Sequence, residues 1–260
     1  VTYALETLNL YKTFGGRTSW LSRSQHAVAA VKDLTLQLHQ GETLAVVGES
    51  GSGKSTLARM LVGLETPTSG QIRLLGKAMA QHQRNGKAFA QLIQYVFQDP
   101  QASLNPRYTI GDTLDVPLKY LRGYAPAERQ RRKLALLDAV QMPADALHGY
   151  PHEFSGGQAQ RLAIARALAA EAQILVLDEP VSALDVSVQA QVLLLLQQLK
   201  QQFSLSYLFI SHDLAVVEAI ADRVAVIYRG DLVECAPAEF LFSAPQHAYT
   251  QSLLASAPRL

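Results

Sequence analysis

The chain has 260 residues, 48% of them apolar, a formal net charge of +1 and a single cysteine, Cys235. That length holds one large domain or two modest ones around a sizeable core, and the near-neutral charge argues against a dedicated nucleic-acid binder. One cysteine excludes an internal disulfide or a multi-cysteine metal centre, and Cys235 reads as a small buried apolar residue.

Ala4–Leu10 and Val31–Leu38 alternate in part and read as strands. Between them, Gly15–His26 carries Arg17, Trp20, Leu21 and Arg23, which suits contact with lipid headgroups or, more simply, a solvated loop. Gly41-Glu42 turns the chain into Thr43–Val47, a buried strand, and Thr56–Leu61 then reads as a helix. Gln71–Leu75 and Leu92–Phe97 are further strands. Thr109–Leu121 and Pro126–Val140 have helical periodicity, with Pro126 at a first helical position. Arg129, Arg131, Arg132 and Lys133 read as a solvated face of the second helix. Another helix is expected from Gln158 to about Ala170. Ile174–Leu177 is a short continuous apolar strand, of the kind buried on both faces of a parallel sheet. Val186–Gln202 reads as a helix, Ser206–Ile210 as a strand and Leu214–Ala221 as a helix. Arg223–Tyr228 and Asp231–Cys235 form a hairpin across Arg229-Gly230. The tail, Pro237–Leu260, holds two short helical patterns. Strands alternating with helices predict an α/β sheet with an inserted helical block. No apolar run is long enough to span a membrane and no basic leader precedes an apolar stretch, so a cytoplasmic protein is expected.

The chemistry concentrates at strand ends. Gly48-Glu49-Ser50-Gly51-Ser52-Gly53-Lys54-Ser55-Thr56 fits G-x-x-x-x-G-K-[ST] between a strand and a helix. Its glycines let backbone N–H groups turn inward as an anion nest, and the helix N-terminus adds its positive dipole end. Lys54 is expected on the β- and γ-phosphates and the Ser55 hydroxyl on Mg²⁺. Ile174–Leu177 runs into Asp178-Glu179. In phosphate-loop enzymes the acid at such a strand end helps hold Mg²⁺, a role assigned to Asp178. Glu179, one position on, can polarise an attacking water as general base. His212 follows the strand Ser206–Ile210 and can reach a γ-phosphate. Gln98 ends another strand, with its amide available to Mg²⁺ or water. Ser155-Gly156-Gly157-Gln158 opens a helix, as a simple cap or as a second anion-binding terminus. One phosphate loop has no evident need of a second such site, which suggests that a second copy or a paralogue presents it.

Taken in order, these motifs resemble the ATPase subunit of ABC transporters over essentially the whole chain. Gly48–Thr56 is similar to the family's Walker A, Gln98 to its Q-loop and Ser155-Gly156-Gly157-Gln158 to its signature. Ile174–Asp178 resembles Walker B, Glu179 the catalytic carboxylate, Ser182-Ala183-Leu184-Asp185 the D-loop and His212 the switch histidine. Phe14 stands where the family stacks an aromatic on adenine. Phe154 replaces the family's usual Leu, with little consequence expected. Phe97–Arg107 and His247–Leu254 are similar to the peptide and nickel uptake branch, although Ala248 stands where that branch usually has Pro.

The resemblance implies a P-loop NTPase (RecA-like) α/β core with an N-terminal antiparallel β part and an inserted α-helical subdomain. Residues 1–98 and 158–235 would form the nucleotide-binding core, 99–157 the helical signature subdomain and 236–260 a C-terminal extension. It implies catalytic roles for Lys54, Gln98, Glu179 and His212. It places nucleotide on Phe14, Gly48, Glu49, Ser50, Gly51, Ser52, Gly53, Lys54, Ser55 and Thr56, and also on Ser155, Gly156, Gly157, Gln158 and Asp185. Mg²⁺ would sit on Ser55, Gln98 and Asp178. The expected function is ATP hydrolysis coupled to uptake of peptides, or alternatively nickel or a metal chelate. Expected partners are transmembrane permease subunits, a second ATPase subunit and an extracytoplasmic solute-binding protein, at the cytoplasmic face of the inner membrane. A nucleic-acid-handling ATPase on the same core is the alternative from another class. It is disfavoured by the lack of a long coiled-coil insertion or zinc-binding cysteines. No N-K-x-D motif points to guanine.

Overall fold

In the computed structural model, which describes residues 3–15 and 27–256, the apolar runs become strands β1 (Tyr3–Phe14), β2 (Val28–His39) and β3 (Thr43–Val47). Helix α1 (Lys54–Leu61), β4 (Ser69–Leu74), β5 (Lys77–Ala78), short helices α2 (Met79–Gln83) and α3 (Gly86–Ala90), and β6 (Ile93–Val96) follow. A helical block comes next, with α4 (Pro100–Ser103), α5 (Ile110–Val116), α6 (Pro126–Ala139) and α7 (Gly156–Leu168). The chain continues through β7 (Ile174–Asp178), α8 (Val186–Phe203), β8 (Ser206–Ile210), α9 (Leu214–Ile220), β9 (Arg223–Tyr228) and β10 (Asp231–Pro237). It ends its described part with α10 (Ala238–Ser243) and α11 (Ala248–Ala255). The insert with Arg17, Trp20, Leu21 and Arg23 lies outside the described residues, Gly15 apart.

Two sheets result. One is antiparallel, in the order β2-β1-β4-β5; the other runs β10-β9-β3-β8-β7-β6 and is parallel except for β10. The inner strands β3, β7, β8 and β9 are buried at nearly every successive position because both of their faces are covered. Leu44 and Val46 of β3 join Val176 of β7 and Ile210 of β8 against α1 and the antiparallel sheet. Leu175, Leu177, Tyr207 and Phe209 face α8 and the helical block. Ala45, Val47, Val224 and Val226 face α9 and the C-terminal helices.

Register then aligns the strand ends. Val46 pairs with Ile210, Ile210 with Asp178, and Leu177 with Val96. One residue beyond that row stand Glu179 and Gln98, and two residues beyond it Gly48 and His212. The four candidate motifs therefore leave one carboxyl edge of a parallel sheet, the edge where such sheets bind ligands.

Three local expectations need correction. The single helix expected over Thr109–Leu121 changes to a π-helical turn at Pro117–Arg122. Pro117 has no N–H to give the α-helical ladder and its ring crowds the preceding turn, so the helix widens there. The basic cluster is not simply solvated. Arg129 and Lys133 both reach Asp115 and are mostly covered, while Arg132 bridges Glu128 and Glu171, tying α6 to α5 and to the end of α7. Cys235 is half-buried, and its sulfur accepts a hydrogen bond from Arg223 Nη2 at 3.3 Å. Burial pushes its thiol pKa up.

Candidate active site

The loop after β3 can form only with glycine at two of its positions. Gly53 has φ +109°, and a Cβ there would stand 2.1 Å from the Ala30 carbonyl oxygen. Gly48, at φ +148°, would meet the Ile227 oxygen at the same distance. Close packing of the loop onto β2 and β9 thus demands bare backbone. Gly230 N–H also donates to Ser52 O at 3.0 Å, fixing the loop to the β9–β10 turn.

Lys54 begins α1 and folds back over its own loop. Its ammonium donates to Gly48 O at 2.6 Å and Glu49 O at 2.9 Å. Burial lowers its pKa, opposed by the carboxylates of Glu179, Asp178 and Glu49. The cation is therefore desolvated before any ligand arrives, a state that a polyanion relieves. Ser52 Oγ is buried without a partner. A cavity of about 430 Å³ opens over the loop, lined by Ala30, Ser50, Gly51, Gly53, Lys54, Ser55 and Thr56 on one side and Gln98, Glu179 and His212 on the other. An orphaned hydroxyl, a bare-backbone cradle and a desolvated ammonium beside such a cavity fit a phosphate chain.

Across the cavity, Asp178 ends β7 nearly buried. Burial raises its pKa; the Tyr95 hydroxyl counters this, the Glu179 charge adds to it, and Ser55 counters it again. Asp178 Oδ1 accepts from Ser55 Oγ at 3.4 Å, and Oδ2 from the Tyr95 hydroxyl at 2.5 Å. A hydroxyl and a carboxylate facing each other suit a hard divalent cation such as Mg²⁺. Tyr95 is absent from the sequence-derived site. Its only signal is an aromatic hydroxyl on the strand beside β7, and pairing register, not periodicity, aims it at Asp178.

Glu179 is held in the left-handed region, φ +49°, an uncommon conformation for a non-glycine residue. Its N–H donates to Ile210 O at 2.9 Å. One carboxylate oxygen accepts from Gln98 Nε2 at 2.9 Å, and the other lies 3.0 Å from His212 Nδ1. Three strands thereby converge on one carboxylate at the mouth of the phosphate cradle.

Other expected contacts do not reach this cavity within one chain. Ser155 and Gln158 close a reciprocal cap on α7, with Ser155 N–H donating to Gln158 Oε1 at 3.0 Å. Gly156 lies against Leu184, and a Cβ on Gly157 would stand 2.5 Å from Val188 Cγ1, so that turn packs closely on the start of α8. The Asp185 carboxylate accepts from Val188 N–H at 3.0 Å and Ser187 Oγ at 2.8 Å. Asp185 is therefore the N-cap of α8, its carboxylate engaged by the free donors of that helix, and it stands outside the residues that line the cavity. Phe14, at the end of β1, is 42% exposed, with Lys12 Nζ 4.8 Å from its ring centre. It stands outside the residues that line the cavity. Phe154 fits because Gly149 faces its ring: a Cβ at Gly149 would approach to 2.7 Å.

A family profile described as ABC transporter matches residues 31–182. The dipeptide transport ATP-binding protein of Haemophilus influenzae is 46% identical over 260 residues, all of this chain and 79% of that protein. A putative peptide import ATP-binding protein of Brucella abortus is 50% identical over 232 residues, 88% of this chain and 70% of the other. Among solved structures, a dimeric ATP-binding cassette in a post-hydrolysis state bound to ADP and Pi superposes with a TM-score of 0.78 at 27% identity, covering 90% of this chain and 98% of that one. The aligned strand ends, the glycine cradle and these likenesses lead to one conclusion: the chain belongs to the ABC transporter family and is one of its ATPase cassettes.

Proposed function

We propose that this chain is the motor of a peptide importer, hydrolysing ATP and passing the resulting motion to separate membrane subunits. The observation that carries this reading is the convergence of Lys54, Gln98, Glu179 and His212 on one cavity, in a chain alike over its full length to a dipeptide transport ATP-binding protein. Gly48–Thr56 would hold the triphosphate, with Lys54 on its β- and γ-phosphates. Ser55, Asp178 and Gln98 would hold Mg²⁺, which when bound neutralises charge on the phosphate oxygens. Glu179 takes a proton from the attacking water as that oxygen bonds to the γ-phosphorus and the bond to the β–γ bridging oxygen breaks. His212 orients Glu179 and the departing γ-phosphate.

Ser155–Gln158 and Asp185 would meet nucleotide only across an interface, presented by a second cassette. ATP touching both partners in the closed pair alone would favour closure, because a ligand shifts an equilibrium only by its preference for one state. Residues 99–157, with the loop after Gln98, would carry the motion to permease subunits, and 236–260 would form the C-terminal extension. Among the described residues no helix is long and apolar enough to cross a membrane. Peripheral attachment at the cytoplasmic face, with a solute-binding protein on the far side, accords with that.

The test is reconstitution with the membrane subunits in vesicles. ATP-driven peptide uptake is expected, lost together with ATP binding in Lys54→Ala. Hydrolysis stimulated by DNA and indifferent to membrane subunits would overturn the reading.

A further inference from the structure

The C-terminal helix touches the phosphate loop itself. Glu49 N–H donates to the Tyr249 hydroxyl of α11 at 3.2 Å. The same peptide unit offers its carbonyl, Gly48 O, to the Lys54 ammonium at 2.6 Å. In a planar trans peptide the C=O and N–H point in opposite directions. The Gly48–Glu49 peptide is thus held between the cation on one side and the tail tyrosine on the other. Rotating it would break both bonds and move the carbonyl that seats Lys54.

The tail is built to hold that tyrosine in place. The Glu234 carboxylate of β10 accepts from Gln246 N–H at 2.9 Å and His247 N–H at 3.0 Å. His247 Nδ1 accepts from Tyr249 N–H at 3.1 Å and so caps α11. The Tyr249 ring packs on Tyr228, at the end of β9, with centroids 4.1 Å apart. Tyr249, Leu253 and Leu254 pack against a buried cluster that includes Ala45 and Val47 of β3, the strand that enters the loop, and Val226 of β9.

We propose that Tyr249 is a positioning residue for ATP binding. Its hydroxyl sets the orientation of the Gly48–Glu49 peptide and so the seat of Lys54, which makes the docking of α11 part of the nucleotide site. This rests on the ATPase reading above.

Tyr249→Phe in the full chain keeps the ring on Tyr228 and deletes only the acceptor. Loss of one such hydrogen bond is expected to raise the ATP Kd about fivefold, with a matching rise in KM and kcat within about twofold. The Glu49 amide should exchange faster with solvent. Glu234→Ala, which frees the start of α11, should also raise Kd. The double variant should be no weaker than the worse single one, as expected for residues acting through one contact. A lower melting midpoint in Tyr249→Phe with Kd and Glu49 exchange unchanged would mean a purely structural role and overturn the inference. Wild-type chain that binds no ATP would remove the ATPase reading and this inference with it. Wild-type binding matched by Tyr249→Phe would remove this inference alone.

Discussion

Glu179→Gln separates proton transfer from positioning. In the wild type, Glu179 meets Gln98 Nε2 at 2.9 Å and His212 Nδ1 at 3.0 Å. A glutamine of the same shape can keep both: its oxygen accepts from Gln98, and its NH₂ donates to Nδ1 when the imidazole proton sits on Nε2. The left-handed backbone at 179 is common to both proteins, so its strain cancels in the comparison. What disappears is the proton acceptor, and general-base catalysis contributes about 10²–10⁴ in rate. That corresponds to roughly 3–5 kcal/mol on the barrier. ATP affinity should hold or tighten, because the variant removes a negative charge from beside the phosphate seat. Glu179 is also the foremost of the carboxylates that favour the charged form of Lys54. Single-turnover hydrolysis of radiolabelled ATP reads the rate, and equilibrium binding reads the affinity. Gel filtration with ATP should show a closed pair accumulating. Turnover within about twofold of wild type, against the 10²-fold minimum for a lost base, would refute the reasoning. So would a rate loss explained wholly by lost ATP binding.

Gly53→Ala places a Cβ 2.1 Å from the Ala30 oxygen at φ +109°, so the loop or β2 must shift. We expect a loss of about 2 kcal/mol or more in urea unfolding, together with weakened ATP binding; an unchanged midpoint would mean that β2 yields freely. Asp178 supplies a pH signature in metal-free protein. Its folded pKa lies above the unfolded value, so the native state binds the proton more tightly. Stability from this group is therefore greatest below the ordinary carboxylate pKa, about 4, and falls as pH rises through the raised one. Urea stability of wild type relative to Asp178→Asn should decline from about pH 4 towards neutrality, and a rise over that interval would reverse the assigned sign.

Much of this was legible in the chain alone. Gly48–Thr56 announces a phosphate cradle because few other loops need three glycines before a lysine and a hydroxyl at a helix start. The unbroken apolar run Ile174–Leu177 declares a strand covered on both faces, Thr43–Val47 reads as a buried strand and Ser206–Ile210 as a strand, and the polar residues after each mark where chemistry can occur. Local pattern also located most helices, since 3.6-residue periodicity is carried by neighbours. It did not anticipate the π-helical turn at Pro117–Arg122, where one residue overrides the period.

Tertiary structure decided the rest. Gln98, Glu179 and His212 lie far apart in sequence, and only the register of β6, β7, β8 and β3 brings them level beside the loop. Tyr95 and Tyr249 gained their partners the same way, through a neighbouring strand and a distant tail helix. Asp185 and Ser155 were turned to capping within the chain by free helix donors beside them. Local sequence specifies which backbone each segment prefers, because those forces act over a few residues. Which side chains then face one another depends on strand order and register, and those are set by burying two faces of a sheet at once.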